Sequence, residues 1–170
     1  MGRTLVSLAS ADPGLRVVGA IEAPGHRDLG QDAGSLATGR AIGVELTDSL
    51  DRAAVDGAVL IEFTAPAPSL EHLRACSRLG VSMVLGTTGF SAVEQQEIER
   101  LAERVACLQA ANMSRGVTIL QQLVEDVARR LGPSFDVELV EIHHRLKKDA
   151  PSGTALALAR AAARGRDLSL

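Results

Sequence analysis

The stretch Glu141–Thr154 reads Glu-Ile-His-His-Arg-Leu-Lys-Lys-Asp-Ala-Pro-Ser-Gly-Thr. Two adjacent histidines, three basic side chains and a helix-start signal fall within fourteen positions. Ser152 is a natural N-cap, with Gly153 and Thr154 as the first helical residues. Free N–H groups at such a start favour an anion, and the basic side chains add positive field. The pattern suits a small acid, a carboxylate or a phosphate, with His143 or Lys147 able to transfer protons. One geometric condition applies. His143 and Lys147 are four positions apart, about 13 Å in a continuing strand, so both reach one small substrate only if the strand breaks after about Arg145. Asp149-Ala150-Pro151 favours a loop there. The same residue types also describe a solvated basic turn between a strand and a helix.

The elements that must position this stretch are legible upstream. Met1–Ala11 has helical spacing and Asp12-Pro13-Gly14 stops it. Leu15–Glu22 is an apolar run closed by an acid and reads as a buried strand. Ala23–Asp48 is rich in glycine and polar residues and reads as loop with little regular structure. Ala58–Phe63, Val81–Leu85 and Val105–Ala110 read as further strands. Between them lie a helix at Leu70–Leu79, stopped by Gly80, and a helix at Ala92–Arg104, opened by the capping pair Ser91 and Glu94. Alternating strands and helices point to βαβ units and a parallel sheet. A long amphipathic helix follows at Val117–Leu131, ended by Gly132-Pro133. Phe135–Arg145 then alternates as a strand of a second sheet. An Ala- and Arg-rich helix is expected over Ala155–Arg164. A boundary near Asn112 divides the chain into a dinucleotide-binding domain, 1–111, incomplete at its N-terminus, and a partial substrate-binding and oligomerisation domain, 112–170.

A dinucleotide fold normally opens strand, Gly-rich turn, helix, strand, acid. This chain opens inside the helix, so Leu15–Ile21 takes the place of the second strand and Glu22 that of the ribose-binding acid. A carboxylate accepts from both ribose hydroxyls. On residue type alone, an acid at a strand end such as Glu22 is more often simply solvated. Met1-Gly2-Arg3 fits the end of the phosphate loop, as if translation were taken from an internal methionine; a gene remnant is the alternative.

Taken together, His143-His144-Arg145, Lys147 and Asp149-Ala150-Pro151-Ser152-Gly153-Thr154-Ala155 resemble the signature segment of the dihydrodipicolinate reductase family. Glu62-Phe63-Thr64-Ala65-Pro66 is similar to the family's acidic-Phe-Thr-x-Pro segment. Gly86-Thr87-Thr88-Gly89 is similar to its nicotinamide-side turn, and Ala110-Ala111-Asn112-Met113-Ser114 to the junction between its domains. The resemblance implies a Rossmann-like α/β parallel sheet, lacking here its first strand and Gly-rich loop, plus the start of an α+β substrate domain. It implies His143 as the acid/base residue, Lys147 as proton donor, and His144, Gly153 and Thr154 as substrate-binding residues. Met1, Glu22, Gly86, Thr87, Thr88, Ala110, Ala111, Asn112 and Met113 fall at cofactor-binding positions. The implied activity is NADH- or NADPH-dependent reduction of a dihydrodipicolinate-type ring in lysine and diaminopimelate biosynthesis, by an enzyme that is homotetrameric at full length. Many members carry a basic residue after the ribose acid; Ala23 stands there, which favours tolerance of NADH, with His26 or Arg27 as alternative holders of a 2′-phosphate. An arginine found after Phe-Thr in some relatives is Ala65. Another Rossmann reductase of amino-acid metabolism, or a non-catalytic remnant, remains the alternative.

Composition sets outer bounds. A 170-residue chain with 46% hydrophobic residues can bury a core. The net charge of −3 and the absence of Trp and Tyr argue against nucleic acid and anionic membranes as partners. No metal site is expected. Cys76 and Cys107 sit in apolar stretches and read as buried thiols of a reducing cytosol, and no basic-then-apolar leader or membrane span is apparent.

Overall fold

The computed structural model describes residues 1–143, 145 and 150–169, and the chain forms two compact units. The first comprises Met1–Leu85 and Phe90–Leu108, the second Gly86–Gly89 and Gln109–Leu170.

In the first unit, α1 (Gly2–Ala11) is followed by β1 (Ala20–Ile21), which pairs in parallel with β2 (Leu46–Thr47). A second sheet has the order β3 (Val59–Glu62), β4 (Ser82–Leu85), β5 (Cys107–Gln109). The β3–β4 pair is parallel and runs from Val59 opposite Ser82 to Glu62 opposite Leu85. A doubly wound sheet has its first strand in the middle, in the order 3-2-1-4-5-6. Leaving that strand out yields a two-stranded and a three-stranded sheet, which is the division seen here. Helices α4 (Pro66–Leu79) and α5 (Ala92–Ala102) cross over between β3, β4 and β5. Leu70, Leu73 and Cys76 of α4 and Ile98 and Leu101 of α5 bury against Met83 and Leu85. The capping box at α5 forms as expected: Ser91 N–H donates to Glu94 (2.7 Å) and Glu94 N–H to Ser91 Oγ (3.3 Å). Arg74 joins the two helices through both oxygens of Glu97, at 2.8 Å each.

Several expectations are corrected. The strand expected over Leu15–Glu22 is regular only at Ala20–Ile21, because β2 offers just two paired residues. Ala23–Asp48 is not merely loop. It contains α2 (Ala33–Thr38) and β2, and α3 (Leu50–Ala53) follows. Asp32 makes this segment: its carboxylate accepts from Ser35 N–H (2.8 Å) at the start of α2 and from Gly43 N–H (2.8 Å) on the returning chain. A six-residue helix is too short to show a period, so only the cap marked it. Helix α4 begins at Pro66, four residues early, since proline is well suited to a first helical turn. Cys76 is fully buried, but Cys107 is only partly so.

In the second unit, α6 (Arg115–Leu131), capped by Ser114, packs against α7 (Gly153–Gly165), capped by Ser152. Small residues allow close approach. Ala128 faces Gly165 of the opposite helix, and Ala161 and Ala162 of α7 are buried as well. Arg164 and Arg129 both reach Glu125, at 3.0 and 2.8 Å. A strand was expected over Phe135–Arg145, of which Phe135–His143 is described without a break. Among the described residues it has no ladder partner and is not a regular strand. Leu120, Leu123, Val127 and Leu131 of α6, with Phe135 and Val137, line an open apolar cavity of about 310 Å³. Among the described residues, no helix is long and apolar enough to cross a membrane.

Candidate active site

The second unit gathers three of the segments singled out above. Gly153, the first residue of α7, lies so close to its neighbours that a Cβ there would stand 3.3 Å from both the Ala111 Cβ and the Thr88 Cγ2. Asn112 Nδ2 donates to Thr154 Oγ1 at 2.8 Å, while Asn112 Oδ1 accepts from Ser114 N–H at 2.9 Å. One amide thus ties the junction 110–114 to the start of α7 and also leads into α6. Thr87 is buried beside these groups in the chain, whereas Ala111 and Met113 are exposed.

Ser152 caps α7 as expected, its Oγ accepting from Ala155 N–H at 3.0 Å. Its own N–H donates to Glu141 Oε1 at 2.8 Å. The other oxygen of Glu141 lies 2.8 Å from His143 Nε2. The Ser152 side chain, His143 and the Ser152 N–H together hold the Glu141 carboxyl down at about 2. Sequence reasoning quoted Glu141 without giving it a role. The available signal was its place two residues before His143, on the same face of an alternating stretch. His144 and Lys147 lie outside the described residues, so the condition that the chain folds back beyond Arg145 concerns residues not described. Among the described residues, the N–H groups of Gly153 and Thr154 take no partner. A helix start with two open donors, a histidine nearby and hydroxyl and amide groups at its rim can bind a carboxylate and exchange protons with the molecule that carries it.

In the first unit, Glu22 closes β1; its N–H donates to Thr47 O (2.9 Å) and its Oε1 accepts from Ala23 N–H (2.9 Å). Its Oε2 has no partner among the described residues, which suits a ribose hydroxyl. Met1 is exposed at the start of α1. Sequence reasoning missed Asp28, a buried acid that takes Arg3 at 2.9 Å, Arg27 at 3.6 Å and Gln31 at 3.4 Å, and whose N–H donates to His26 Nδ1 at 3.3 Å. Of the two side chains considered for a 2′-phosphate, His26 has its Nδ1 taken by the Asp28 N–H, while Arg27 is largely exposed, its Nε 3.6 Å from the Asp28 carboxylate.

Residues 1–113 match the family described as dihydrodipicolinate reductase, N-terminus, and residues 116–168 match dihydrodipicolinate reductase, C-terminus. The chain belongs to the dihydrodipicolinate reductase family. The 4-hydroxy-tetrahydrodipicolinate reductase of Anaeromyxobacter dehalogenans is 44% identical over 163 residues, which is 96% of this chain and 60% of that protein. Its counterpart in Syntrophobacter fumaroxidans is 45% identical over 96% of this chain and 61% of its own length. The chain thus spans about 60% of the length of these curated relatives. A dipicolinate-bound dihydrodipicolinate reductase from Paenisporosarcina sp. TG-14 matches in structure with a TM-score of 0.70 at 26% identity, over 98% of this chain and 63% of that one. An amine dehydrogenase from Mycobacterium smegmatis aligns less well, with a TM-score of 0.53 over 73% of this chain. The Rossmann-like parallel α/β architecture of a dihydrodipicolinate reductase is therefore the fold of this chain, divided where its central strand would run.

Proposed function

We propose that this protein serves the reduction of 4-hydroxy-tetrahydrodipicolinate to tetrahydrodipicolinate with NADH or NADPH, in lysine and diaminopimelate biosynthesis. The observation that carries the reading is the start of α7, where the N–H groups of Gly153 and Thr154 stay open while Asn112, Thr88 and Ala111 pack around them. Those two donors, with His144, hold one carboxylate of a small dicarboxylate. Bound NADH or NADPH supplies the hydride. The residues of this chain then manage charge and protons. His143, oriented by Glu141, stabilises negative charge that develops on the substrate, and Lys147 delivers the proton. Glu22 binds ribose hydroxyls, and Gly86, Thr87, Thr88 and the 110–113 junction receive the nicotinamide side. Met1 stands at the phosphate end. Full-length relatives are expected to act as homotetramers, and the protein to be cytoplasmic.

Ala23 beside Glu22, with His26 Nδ1 taken by the Asp28 N–H, supports NADH over NADPH. Calorimetry with both dinucleotides tests this: NADPH binding tenfold tighter than NADH would overturn it. Gly153→Pro tests the anion site. Proline suits the first helical position and removes one donor, and Gly153→Ala, which places the same Cβ 3.3 Å from Ala111 and Thr88 but keeps the N–H, is the steric control against which the loss is read. Affinity for pyridine-2,6-dicarboxylate is expected to fall about tenfold, the weight of one charge-assisted hydrogen bond; unchanged affinity with an intact helix would refute the site. In a chain extended to the length of its relatives, Lys147→Ala is expected to lower turnover more than substrate binding.

A further inference from the structure

The C-terminal end of β3 carries a buried charge that the mechanism above leaves without a task. Glu62 is 3% exposed. Its Oε2 lies 2.6 Å from His72 Nδ1 on α4, and its Oε1 accepts from the hydroxyls of Thr64 and, at 3.3 Å, Ser69. Strand, loop and helix are therefore joined at one carboxylate. The loop it spans, Phe63–Ala65, meets α4 at this carboxylate and at the Ser69 hydroxyl, 3.3 Å from that of Thr64, while Ala65 at the N-cap of α4 offers no side-chain acceptor. A buried ion pair is a poor stability device, since a well-packed apolar pair does as well or better. Its placement calls for another reason. In open α/β sheets ligands bind in the crevice beyond the carboxyl ends of the strands. Glu62 is at such an end, opposite Leu85, the residue that precedes the Gly86–Gly89 turn.

We propose that His72 is a positioning residue for dinucleotide binding, holding the Phe63–Ala65 loop through Glu62 and holding it more firmly with its imidazole protonated than neutral. The proposal rests on the nucleotide reading above. Electrostatics agree with the geometry. Burial pushes the Glu62 carboxyl up, but bonds from His72 and Thr64 outweigh it and leave it below its ordinary value. The bond to Glu62 raises His72 above the ordinary histidine value despite burial, with Glu71 on the same helix adding to the rise. The other titratable groups coupled to the pair are Cys76 on α4, which senses Glu62, and Cys107 on β5, which acts on Cys76. The side chain of His72 is 23% exposed, so solvent can protonate it. A raised imidazole contributes fully below its ordinary value and loses its grip as pH rises through the folded value.

The test uses the 170-residue chain, NADH calorimetry between pH 6.5 and 9, and NMR of the same samples. Wild-type affinity is expected to fall about tenfold as His72 deprotonates, within the usual range of coupling between sites. The Thr64 amide is expected to move with the same midpoint as the His72 ring. His72→Gln should bind at the weaker level throughout and show no midpoint. If wild type binds NADH and His72→Gln matches it at both ends of the range, the positioning role is wrong while the nucleotide reading stands. If wild type binds no dinucleotide at any pH, that reading falls and this one with it. Should His72→Gln fail to fold, the wild-type titration still decides, since a Thr64 amide that ignores the His72 midpoint overturns the proposal.

Discussion

Replacing Gly165 with alanine should drive α6 and α7 apart. A Cβ at that position would stand 2.3 Å from the Glu125 carbonyl oxygen, 3.0 Å from the Ala128 Cβ and 3.1 Å from the Arg129 nitrogen. Two of these atoms are backbone, so no flexible side chain can swing aside. Overpacking of this kind costs about 1–3 kcal/mol. Against it stands a gain of about 0.4–1 kcal/mol from the smaller entropy of the unfolded chain. The net loss is about 1–2 kcal/mol, which for a unit of this size lowers the melting temperature by roughly 5–15 °C. Thermal unfolding followed through the amide signals of α7 reads this unit separately from the first. Gly2→Ala, where an added Cβ would meet nothing within 4 Å, is the control and should melt with wild type. The two helices also set the angle at which Gly153 and Thr154 meet Asn112, so dipicolinate affinity should fall in Gly165→Ala even below its melting range. A variant that melts with wild type would show that the close helix crossing is not what holds this unit together.

Three further outcomes are expected. Asn112→Ala loses the bonds to Thr154 and Ser114, about 1–2 kcal/mol together, and hydrogen exchange at the first amides of α7 should quicken. Exchange unchanged at Thr154 and Ala155 would count against the tie. The Glu141 carboxyl, held at about 2 by Ser152 and His143, contributes stability above the ordinary carboxylate range and loses it as pH falls toward that value, so its carboxyl-carbon titration should have its midpoint near 2. A midpoint above 4 would remove the bridge between His143 and α7. Burial pushes the Cys76 thiol up to about 11, with Cys107 adding to the rise. At pH 8 a thiol reagent should therefore modify Cys107 first and Cys76 only on unfolding; equal rates in the folded chain would contradict the described core.

The sequence by itself determined the elements whose signals are local. The box at Ser91 and Glu94, the cap at Ser152 and the stop at Gly80 each depend on residues within a turn of one another, and each forms. The apolar runs that became β3, β4 and β5 were legible for the same reason. The family was legible in the run from His143 to Ala155, although His144 and Lys147 lie outside the described residues. Tertiary structure decided the rest, because the partners were distant in the chain. Asp32 caps α2 locally through Ser35, but it also fixes the returning chain by accepting from residues ten and eleven positions on. The alternation of Phe135–His143 fits a strand, yet a strand needs a neighbour and none is found among the described residues. Glu141 reads as one more polar residue until Ser152, eleven residues later, donates to it. Glu62 reads as a strand-end acid until α4 brings His72 against it. Periodicity and capping are short-range and survive in one dimension; a buried carboxylate is defined by which donors fold onto it, and that is settled only in three.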